Sequence, residues 1–544
     1  MEDILIPDSY TWLEQPSNFK DLINYLDYLK QQCSEKLSVN CNPKYIKGIV
    51  VPHAGIKYSG ICSMSSYLPA SMNQSINKII VLSTDHHYNS KSGIYLQHFH
   101  YYDNNKNKFS VKIHKQTKQL LKNKSLFELR DIKEEITNEH SLLNQLPFLS
   151  YLFPSVKIIP VIVGSDNLTK IHKSLSKLIN KNTLVVCNAD LEHVNGQFKD
   201  KITKNINSVI TYRDSLILKL LSKNDNIELN SQYVSDNGLT TCSYHTLNLM
   251  KKIMNKYFFK KTKRKNNKAN SLQLKVASYF TSFHITNFVD YTKSLKLNDI
   301  TRFFKLNNTN ESSVSYAGLL FTMKARKQKR IFKTLFTEFE KASLIQYSMT
   351  VALNHLSTDK IPDKYLFPIY SPEFYNKYGC FITIDNKIFD HIDNKQRGCI
   401  GVTDVNKDIL VNNVNHYTLQ SCFYDKRYPP ITYDELLTKI DKNCSIYEFK
   451  KDFSISLLNK LIPIPKSKFL NKKVSFKVGQ DAVTIKYNQK SSVYLTNDAE
   501  LHGLTEEVDM LKMLCRKMGE KESCINDVKV FYQEGYPIKS SILF

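Results

Sequence analysis

The segment Ile79-Ile80-Val81-Leu82-Ser83-Thr84-Asp85-His86-His87 joins a run of apolar, largely β-branched residues directly to an acidic residue and two histidines. Such a run predicts a strand that is covered on both faces, as in parallel sheets flanked by helices. In those sheets, ligands bind outside the carboxyl ends of the strands. The polar residues that end this segment are therefore candidates for a functional site.

The same pattern recurs along the first three hundred residues. Strands are predicted at 49–51, 78–82, 157–163 and 183–187. Apolar side chains recur at helical spacing between two of these strands, at Leu168, Ile171, Leu175, Leu178 and Ile179. The alternation of strands and helices predicts an α/β domain.

Candidate metal ligands follow the ends of the predicted strands. His53 follows the first strand, His86 the second, and Asp190 with His193 the fourth, while Cys242 precedes an apolar stretch with helical spacing. Imidazole and thiolate groups bind iron, copper and zinc. We therefore predict a metal site formed by the two strand-end histidines and the cysteine.

Each of these residues, taken alone, also has a purely structural interpretation. His53 could simply end a strand in a turn, and Cys242 could be a small buried apolar residue. The metal hypothesis therefore depends on all three side chains meeting at one point.

A second unit is predicted after the basic segment 324–330, which is interpreted as a linker or as the solvated start of a helix. Apolar residues at helical spacing from 335 to 353 predict a long helix, and strands and turns follow from Gly379 onward. A long helix followed by a run of strands and turns predicts an α+β domain. The predicted boundaries are 1–325 for the first unit, 326–334 for the linker and 335–544 for the second unit.

Length and composition restrict the class of protein. The chain of 544 residues is 42% hydrophobic, which indicates globular folding in two or more domains. No apolar run approaches the roughly 20 residues needed to cross a bilayer, and residues 1–8 do not resemble a secretory signal. We therefore expect a cytoplasmic protein without membrane contact. The basic cluster at 260–268, interpreted as an exposed loop, leaves a nuclear location open.

The cysteines show no pattern that indicates disulfide bonds. The 11 cysteines are scattered and include no CxxC pair, which argues against a disulfide framework and against a zinc ribbon. We therefore expect reduced thiols.

The chain is strongly basic, with a formal net charge of +25. Such a charge favours contact with nucleic acid or with other acidic surfaces. Lysine and asparagine are abundant throughout, however, so a compositional bias that produces solvated lysine-rich faces is the preferred interpretation. A nucleic-acid partner is retained as an alternative.

Several short blocks of the first unit match one known family in order. The blocks are Pro52-His53-Ala54-Gly55, Asp85-His86-His87, Glu139-His140-Ser141, Asp190 with His193, and Cys242 with His245. Through them, roughly residues 35–325 resemble the Memo family, protein B of the AmmeMemoRadiSam system. The resemblance implies a fold similar to that of the class III extradiol dioxygenases, with a metal pocket at the edge of an α/β sheet.

Carried over to this chain, the resemblance implies His53, His86 and Cys242 as metal ligands. It places Asp190 and His193 in the same pocket, either as a general base or as groups that orient a ligand. A thiolate replaces the glutamate of the extradiol enzymes, which favours softer metals such as copper(I) without excluding iron(II). Three protein ligands would leave coordination positions open for oxygen, water or substrate.

The chain also departs from the family pattern. Leu143 occupies the position of a usual acidic residue, Asp85 replaces a serine, and Asn188-Ala189-Asp190 stands where the family has Ser-Ser-Asp. Residues 9–13 hardly match the N-terminal block of the family. Metal binding could therefore persist while activity is altered or lost.

The second unit resembles the AMMECR domain family, protein A of the same system, over roughly residues 335–535. The motifs are Gly379-Cys380-Phe381-Ile382-Thr383, Arg397-Gly398-Cys399-Ile400-Gly401, Asp425-Lys426-Arg427-Tyr428-Pro429-Pro430 and Leu514-Cys515-Arg516-Lys517. Two interpretations of Arg397 and Arg427 remain open: they hold an anionic group together, or they tie loops to carboxylates within the fold. Cys399 is a candidate binding residue, but no histidine near it in sequence could activate it as a nucleophile.

Fusion of the two domains favours a role in one process. The leading hypothesis is a metal-dependent redox protein with iron or copper at the two-histidine, one-cysteine site. Its substrate would be a protein or a small molecule, and the system's name implies a radical S-adenosylmethionine enzyme as partner. A non-catalytic scaffold that binds a peptide or phosphorylated partner is the alternative, and an RNA-modifying factor is a third possibility.

Overall fold

The computed structural model describes most of the chain, with gaps. The described residues are 4–6, 19–87, 89–102, 108–130, 139–195, 198, 200–202, 205–223, 225, 227–263, 272–281, 313–323, 335–358, 360–386, 396–440, 446–449, 451–465, 476–496, 498 and 502–539. The predicted linker at 326–334, the block at 9–13 and residues 264–268 of the basic cluster lie outside them.

Strands of the first unit form one large sheet and one small sheet. The strands are β1 (Ile4–Ile6), β2 (Ile46–Val51), β3 (Lys78–Thr84), β4 (Ser92–Ile94), β5 (Phe99–Tyr102), β6 (Lys108–Val111), β7 (Phe127–Leu129), β8 (Lys157–Val163), β9 (Thr183–Asn188), β10 (His193–Val194), β11 (Leu272–Thr281) and β12 (Ser313–Met323). In the described ranges, nine of them form a sheet in the order β10-β12-β2-β9-β3-β8-β4-β7, with β11 paired to β12. Strands β2, β9, β3 and β8 run parallel to one another at its centre, and β1, β5 and β6 form the small sheet.

Helices cover both faces of the large sheet. They are α1 (Phe19–Lys36), α2 (Ile56–Ser71), α3 (Thr117–Leu120), α4 (Leu146–Leu152), α5 (Leu168–Ser176), α6 (Ile206–Ser222), α7 (Ser231–Asp236) and α8 (Tyr244–Lys263). Helix α8 includes residues 260–263 of the basic cluster, so the prediction of a loop was wrong there, because lysine is a good helix former. None of the helices in the described ranges combines the length and apolar character that spanning a bilayer requires.

The central strands are buried on both faces. Ile79 and Val81 of β3 pack into a core shared with α1, α2 and α4, whereas Ile80 and Leu82 pack into a second core shared with α5, α6 and α8. This alternation follows from the two-residue period of a strand. The predicted α/β class is confirmed, and the central strands lie within about two residues of their predicted ends, except that β2 begins three residues earlier.

The second unit is built on an antiparallel sheet. Its strands are β13 (Gly379–Asn386), β14 (Gln396–Val402), β15 (Leu437–Ile440), β16 (Ile446–Phe449), β17 (Lys451–Leu458), β18 (Ile462–Ile464), β19 (Asp481–Tyr487), β20 (Lys490–Tyr494) and β21 (Lys529–Lys539). Seven of the described strands form the sheet in the order β14-β13-β17-β21-β19-β20, with β18 paired to β21, while β15 and β16 form a separate hairpin. Its helices are α9 (Glu338–Leu356), α10 (Leu410–Phe423), α11 (Tyr433–Leu436) and α12 (Glu507–Lys517). The α+β prediction for this unit is confirmed.

The start of α9 binds directly to the first unit. Thr337 caps the helix in a capping box with Glu340, and its hydroxyl donates a hydrogen bond of 2.5 Å to the carbonyl of Val276 in β11. The carboxylate of Glu340 accepts a hydrogen bond of 3.1 Å from the amide of the same valine. Tyr370 packs into the core of the first unit, and its amide donates to Ser215 of α6. The two units therefore share buried contacts.

The expectation of reduced cysteines was wrong for one pair. Cys515 of α12 and Cys524, in the short helix Glu522–Asn526, form a disulfide bond. The chain reverses after α12 and brings their Cα atoms to 6.3 Å, a geometry that a spacing of nine residues does not reveal. Eight other cysteines in the described ranges are thiols.

Candidate metal centre

His53 is fixed by hydrogen bonds to its backbone. It follows β2 at the carboxyl edge of the sheet, where its amide donates to Asp190 Oδ1 at 2.8 Å. Its carbonyl accepts from Asn144 Nδ2 at 2.7 Å, and the carbonyl of Pro52 accepts from Gln145 Nε2 at 3.0 Å. The ring is buried, with 1% of the residue exposed. Residues from two other segments thus hold the backbone of His53 in place.

Glu139 orients His86. The carboxylate lies 3.0 Å from His86 Nδ1 and accepts the His86 amide at 2.9 Å. Ser141 donates from its amide to the same carboxylate and from its hydroxyl to the carbonyl of Thr84, so the loop is tied to the end of β3. Because Nδ1 is engaged, Nε2 is the nitrogen that remains for a metal.

His140 completes a group of three imidazoles. Its ring stacks on that of His86 with centroids 4.6 Å apart and meets the ring of His53 edge-on at 5.6 Å. One nitrogen from each of the three rings lies within 4.8 Å of the others. Metal–nitrogen bonds of about 2.1 Å hold two donor atoms at most about 4.2 Å apart, so small ring movements would allow one ion to bind all three.

Cys242 lies beside the same group. It precedes α8, and its sulfur is 3.5 Å from His53 Nε2 and also hydrogen-bonds with His86. The structure therefore brings together the three predicted ligands. It adds His140, which sequence reasoning did not propose as a ligand although it stands in the matched block Glu139-His140-Ser141.

Burial and neighbouring charges set the protonation of the site. Burial, aided by the neighbouring imidazoles, holds the pKa of His53 well below its usual value, which favours the neutral form that binds metal. Burial also lowers the pKa of His86, but hydrogen bonds to Cys242 and Glu139 outweigh it and raise that pKa to about 10. Burial raises the pKa of Glu139, whereas its bonds to His86 lower it to about 2. Glu139 therefore stabilises positive charge on His86, and a metal that binds at Nε2 would displace the proton from this ring.

Asp190 and His193 lie next to these groups. Asp190 accepts the backbone amides of His53 and Ala54 on one oxygen, and its other oxygen is 3.6 Å from His53 Nε2. His193 receives the ring of Phe198 edge-on at 5.0 Å, and burial lowers the pKa of its imidazole. Asp190 thus positions the His53 loop, and His193 is a neutral imidazole beside it.

The donor set fits a cation. Among the described residues, the buried Nδ1 atoms of His53 and His193 have no hydrogen-bond partner. A buried nitrogen without a partner is energetically costly, so such atoms indicate a missing ligand or water. Three imidazoles and a thiol also match the donor types that transition metals prefer.

In the second unit, both predicted arginines bind groups of the fold itself. Arg397 binds both carboxylate oxygens of Glu435, at 3.0 and 3.1 Å, and donates to the carbonyl of Pro429. Arg427 binds both oxygens of Asp425, at 2.9 and 2.7 Å. These contacts are those expected of arginines that tie loops to carboxylates.

Cys399 lies within this loop network. The Arg427 guanidinium donates to its carbonyl at 2.7 Å, and Asp425 accepts its amide. Its sulfur is 3.2 Å from the hydroxyl of Thr383, and burial raises the pKa of the thiol. A raised pKa leaves little of the reactive thiolate at neutral pH.

Comparison with known proteins identifies both units. The Memo-like protein family matches residues 20–320, and the AMMECR1 family matches residues 345–535. A MEMO1 family protein of Aquifex aeolicus is 26% identical over 230 residues, which cover 41% of this chain and 57% of the relative. A MEMO1 family protein of Thermoplasma volcanium is 31% identical over 181 residues, covering 33% of this chain and 63% of the relative.

Among solved structures, an uncharacterized protein of Pyrococcus horikoshii is similar at 23% sequence identity, with a TM-score of 0.29, covering 36% of this chain and 88% of that chain. The matched segments span less than two thirds of the length of the first two relatives. The family match covers more than half of the chain. The chain therefore belongs to the Memo-like protein family and carries an AMMECR1 domain after its Memo-like domain.

Proposed function

We propose that the protein is a metal-dependent redox protein that binds iron or copper through His53, His86 and Cys242, with His140 as a further candidate ligand. The observation that carries the proposal is the convergence of three imidazoles at the carboxyl edge of the sheet. The thiol 3.5 Å from His53 Nε2 adds a fourth donor.

The donor types favour copper(I) or iron(II). A thiolate is a soft ligand that suits copper(I), and imidazole suits both metals. When bound, such a metal supplies one-electron chemistry and polarises oxygen or a substrate. The protein's own residues hold the ligands: Glu139 orients one imidazole and Asp190 fixes the loop that carries another.

His193 is proposed as a proton acceptor in this pocket. Its burial favours the neutral imidazole, which can accept a proton at neutral pH. The second unit is proposed to recognise a protein or small-molecule substrate, or a radical S-adenosylmethionine enzyme as partner. A scaffold that binds a peptide through the same pocket is the alternative.

Elemental analysis of anaerobically purified protein tests the metal site. We expect about one iron or copper per chain in the wild type, and at least tenfold weaker binding of the same metal in Cys242→Ser and His140→Gln, because each change removes a candidate donor. Two matched controls, Cys41→Ser and His172→Gln, change the same residue types away from the site and should bind metal like the wild type.

The same experiment separates the two hypotheses. Absence of metal from the wild type and all variants after anaerobic loading would contradict the redox proposal and favour the scaffold. For metal-loaded protein, a change in the metal's absorption spectrum on exposure to oxygen, reversed by a reductant, is the expected redox signature. A spectrum that oxygen leaves unchanged would count against redox chemistry.

A further inference from the structure

The edge of the sheet opposite the metal centre is built from the amino ends of the parallel strands. Strands β2, β3, β8 and β9 begin there, at residues 46, 78, 157 and 183. The candidate metal ligands His53 and His86 follow the other ends of β2 and β3. Strands of six or seven residues at about 3.3 Å per residue separate the two edges by about 20 Å. A ligand at one edge therefore leaves the other accessible.

Hydrogen bonds join the loops at this edge into one surface. Lys47 Nζ donates to the carbonyl of Lys181 at 3.0 Å, which links the start of β2 to the loop before β9. Lys78 Nζ donates to Gln116 Oε1 at 2.8 Å and to the carbonyl of Leu178 at 2.5 Å. Segments that are distant in sequence thus lie side by side.

The segment before α3 belongs to the same surface. The amide of His114 donates to the carbonyl of Ile158 at 2.8 Å, and the amide of Ile158 donates to the carbonyl of Lys112 at 2.9 Å. In the sheet, Lys78 and Lys157 are paired in register. Lysines from five segments of the chain are therefore neighbours in space.

We call this surface the lysine face and define it by its exposed lysines. They are Lys44, Lys112, Lys115, Lys118, Lys122, Lys124, Lys157, Lys177 and Lys181. The segments that form it, 42–47, 73–78, 112–124, 153–157 and 177–182, contain no aspartate or glutamate. The whole chain has 51 acidic residues against 76 basic ones, so a general abundance of lysine does not account for a surface built without acids.

Titratable groups on the face respond to this positive charge. Burial and then the charges of Lys78, Lys157 and Lys115 lower the pKa of His114. Lys78 itself is 3% exposed, and in the described part of the chain it has only neutral acceptors, an amide and a carbonyl oxygen. Among the described residues, no carboxylate therefore pairs with the ammonium group of Lys78.

We propose that the lysine face binds nucleic acid through its phosphodiester backbone. An array of exposed ammonium groups matches a polymer that carries one negative charge per nucleotide, and release of its counterions drives binding. The side chains between the lysines include amides, such as Asn77, Gln116, Gln119 and Asn182, a side-chain type that can donate hydrogen bonds to phosphate and sugar oxygens.

The composition of the face favours nucleic acid over an anionic membrane. Among the large apolar side chains that the structure shows as exposed, only Met72 belongs to the loops at this edge. Surface helices that bind membranes present an apolar stripe of several such residues. This inference is independent of the metal proposal, because the two surfaces lie at opposite ends of the same strands.

The test compares two variants of the full chain that lose the same charge. The face variant carries Lys112→Gln, Lys115→Gln, Lys118→Gln and Lys157→Gln. The control carries Lys407→Gln, Lys460→Gln, Lys477→Gln and Lys521→Gln, which are exposed lysines of the second unit. Fluorescence anisotropy measures binding of a labelled single-stranded RNA of 20 nucleotides at several salt concentrations.

We expect the wild type and the control to bind alike, with log K falling as log salt rises. The face variant should bind at least about tenfold more weakly, and its salt slope should be smaller by about 3, because four phosphate contacts at about 0.7 each are lost. Equal weakening in the control, or a face variant that binds like the wild type, would overturn the proposal. So would binding of phosphatidylserine vesicles without binding of RNA, and unchanged melting temperatures verify that the variants are folded.

Discussion

At the scale of single residues, two carboxylates position the histidines of the candidate metal centre. Glu139 forms a hydrogen bond with Nδ1 of His86, and Asp190 accepts a hydrogen bond from the backbone amide of His53. These contacts hold the His86 ring and the His53 loop in place, so a metal bound there would require little further ordering of them. Substitution of either acid would therefore disturb a ligand without removing it.

Glu192 gives the first unit a pH-dependent stability. Glu192 is 0% exposed, and this burial raises the pKa of its carboxyl group to about 7. Hydrogen bonds from Thr240 and the charge of Arg213 lower the pKa, but they do not outweigh burial. Because the pKa in the folded state exceeds the ordinary 4.5, its contribution to stability is complete below about pH 4.5 and is lost as the pH rises through about 7. We expect Glu192→Gln to reduce the loss of unfolding free energy between pH 5 and pH 8.

Urea denaturation of the wild type and of Glu192→Gln at both pH values measures this effect. Glu35→Gln, at an exposed position of α1, serves as the control and should keep the wild-type pH dependence. An unchanged pH dependence in Glu192→Gln would contradict the assignment.

Much of the pocket could be predicted from residue types and order. The sequence placed His53 and His86 after strands and Cys242 before a helix, and the structure brings the three side chains together. His140 was not proposed as a ligand because it follows no predicted strand. Its position depends on how Ser141 ties a loop to the end of β3, which no local pattern encodes.

At the scale of elements, the strands that are apolar on both faces were the easiest to predict. Strand β8 has its predicted ends, because a continuous apolar run bounded by polar residues is a local signal. The pairing of β11 with β12 was beyond sequence reasoning, since it joins segments separated by more than thirty residues. The sheet order likewise depends on contacts between distant segments.

The disulfide between α12 and the short helix Glu522–Asn526 stabilises this end of the second unit. Cys515 and Cys524 are nine residues apart, and a loop of that size contributes about 2 to 3 kcal/mol by restricting the unfolded chain. We expect dithiothreitol to lower the unfolding free energy of the wild type by about this amount. Denaturation with and without the reductant measures the difference.

The control is the double variant Cys515→Ala/Cys524→Ala, whose stability the reductant should leave unchanged. An equal response of the wild type and the double variant to the reductant would show that the bond contributes nothing to folding.

At the scale of the whole molecule, the start of α9 connects the two units. Thr337 satisfies the first turn of the helix and also binds Val276 of β11. Lys275 of the same strand donates to the carbonyl of Leu335 at 2.7 Å. The units are therefore joined by hydrogen bonds that are buried from water.

Loss of the capping hydroxyl should weaken this connection. We expect Thr337→Ala to lower the unfolding free energy by about 1 to 2 kcal/mol, because the helix start and the Val276 carbonyl each lose a partner. Chemical denaturation followed by circular dichroism measures the change. Thr350→Ala, in the middle of the same helix, should cost less, and an equal loss in both variants would contradict a special role for the cap.

The shared contacts also determine where this polypeptide could be divided. A fragment that ends between residues 326 and 334 would lack Leu335 and Glu340. The Lys275 ammonium and the Val276 amide would then lose the acceptors of their hydrogen bonds. It would also uncover the hydrophobic site that Tyr370 fills. A recombinant fragment that retains residues up to about Tyr375 keeps these partners, so the practical excision point for the amino-terminal half lies some forty residues beyond the apparent linker.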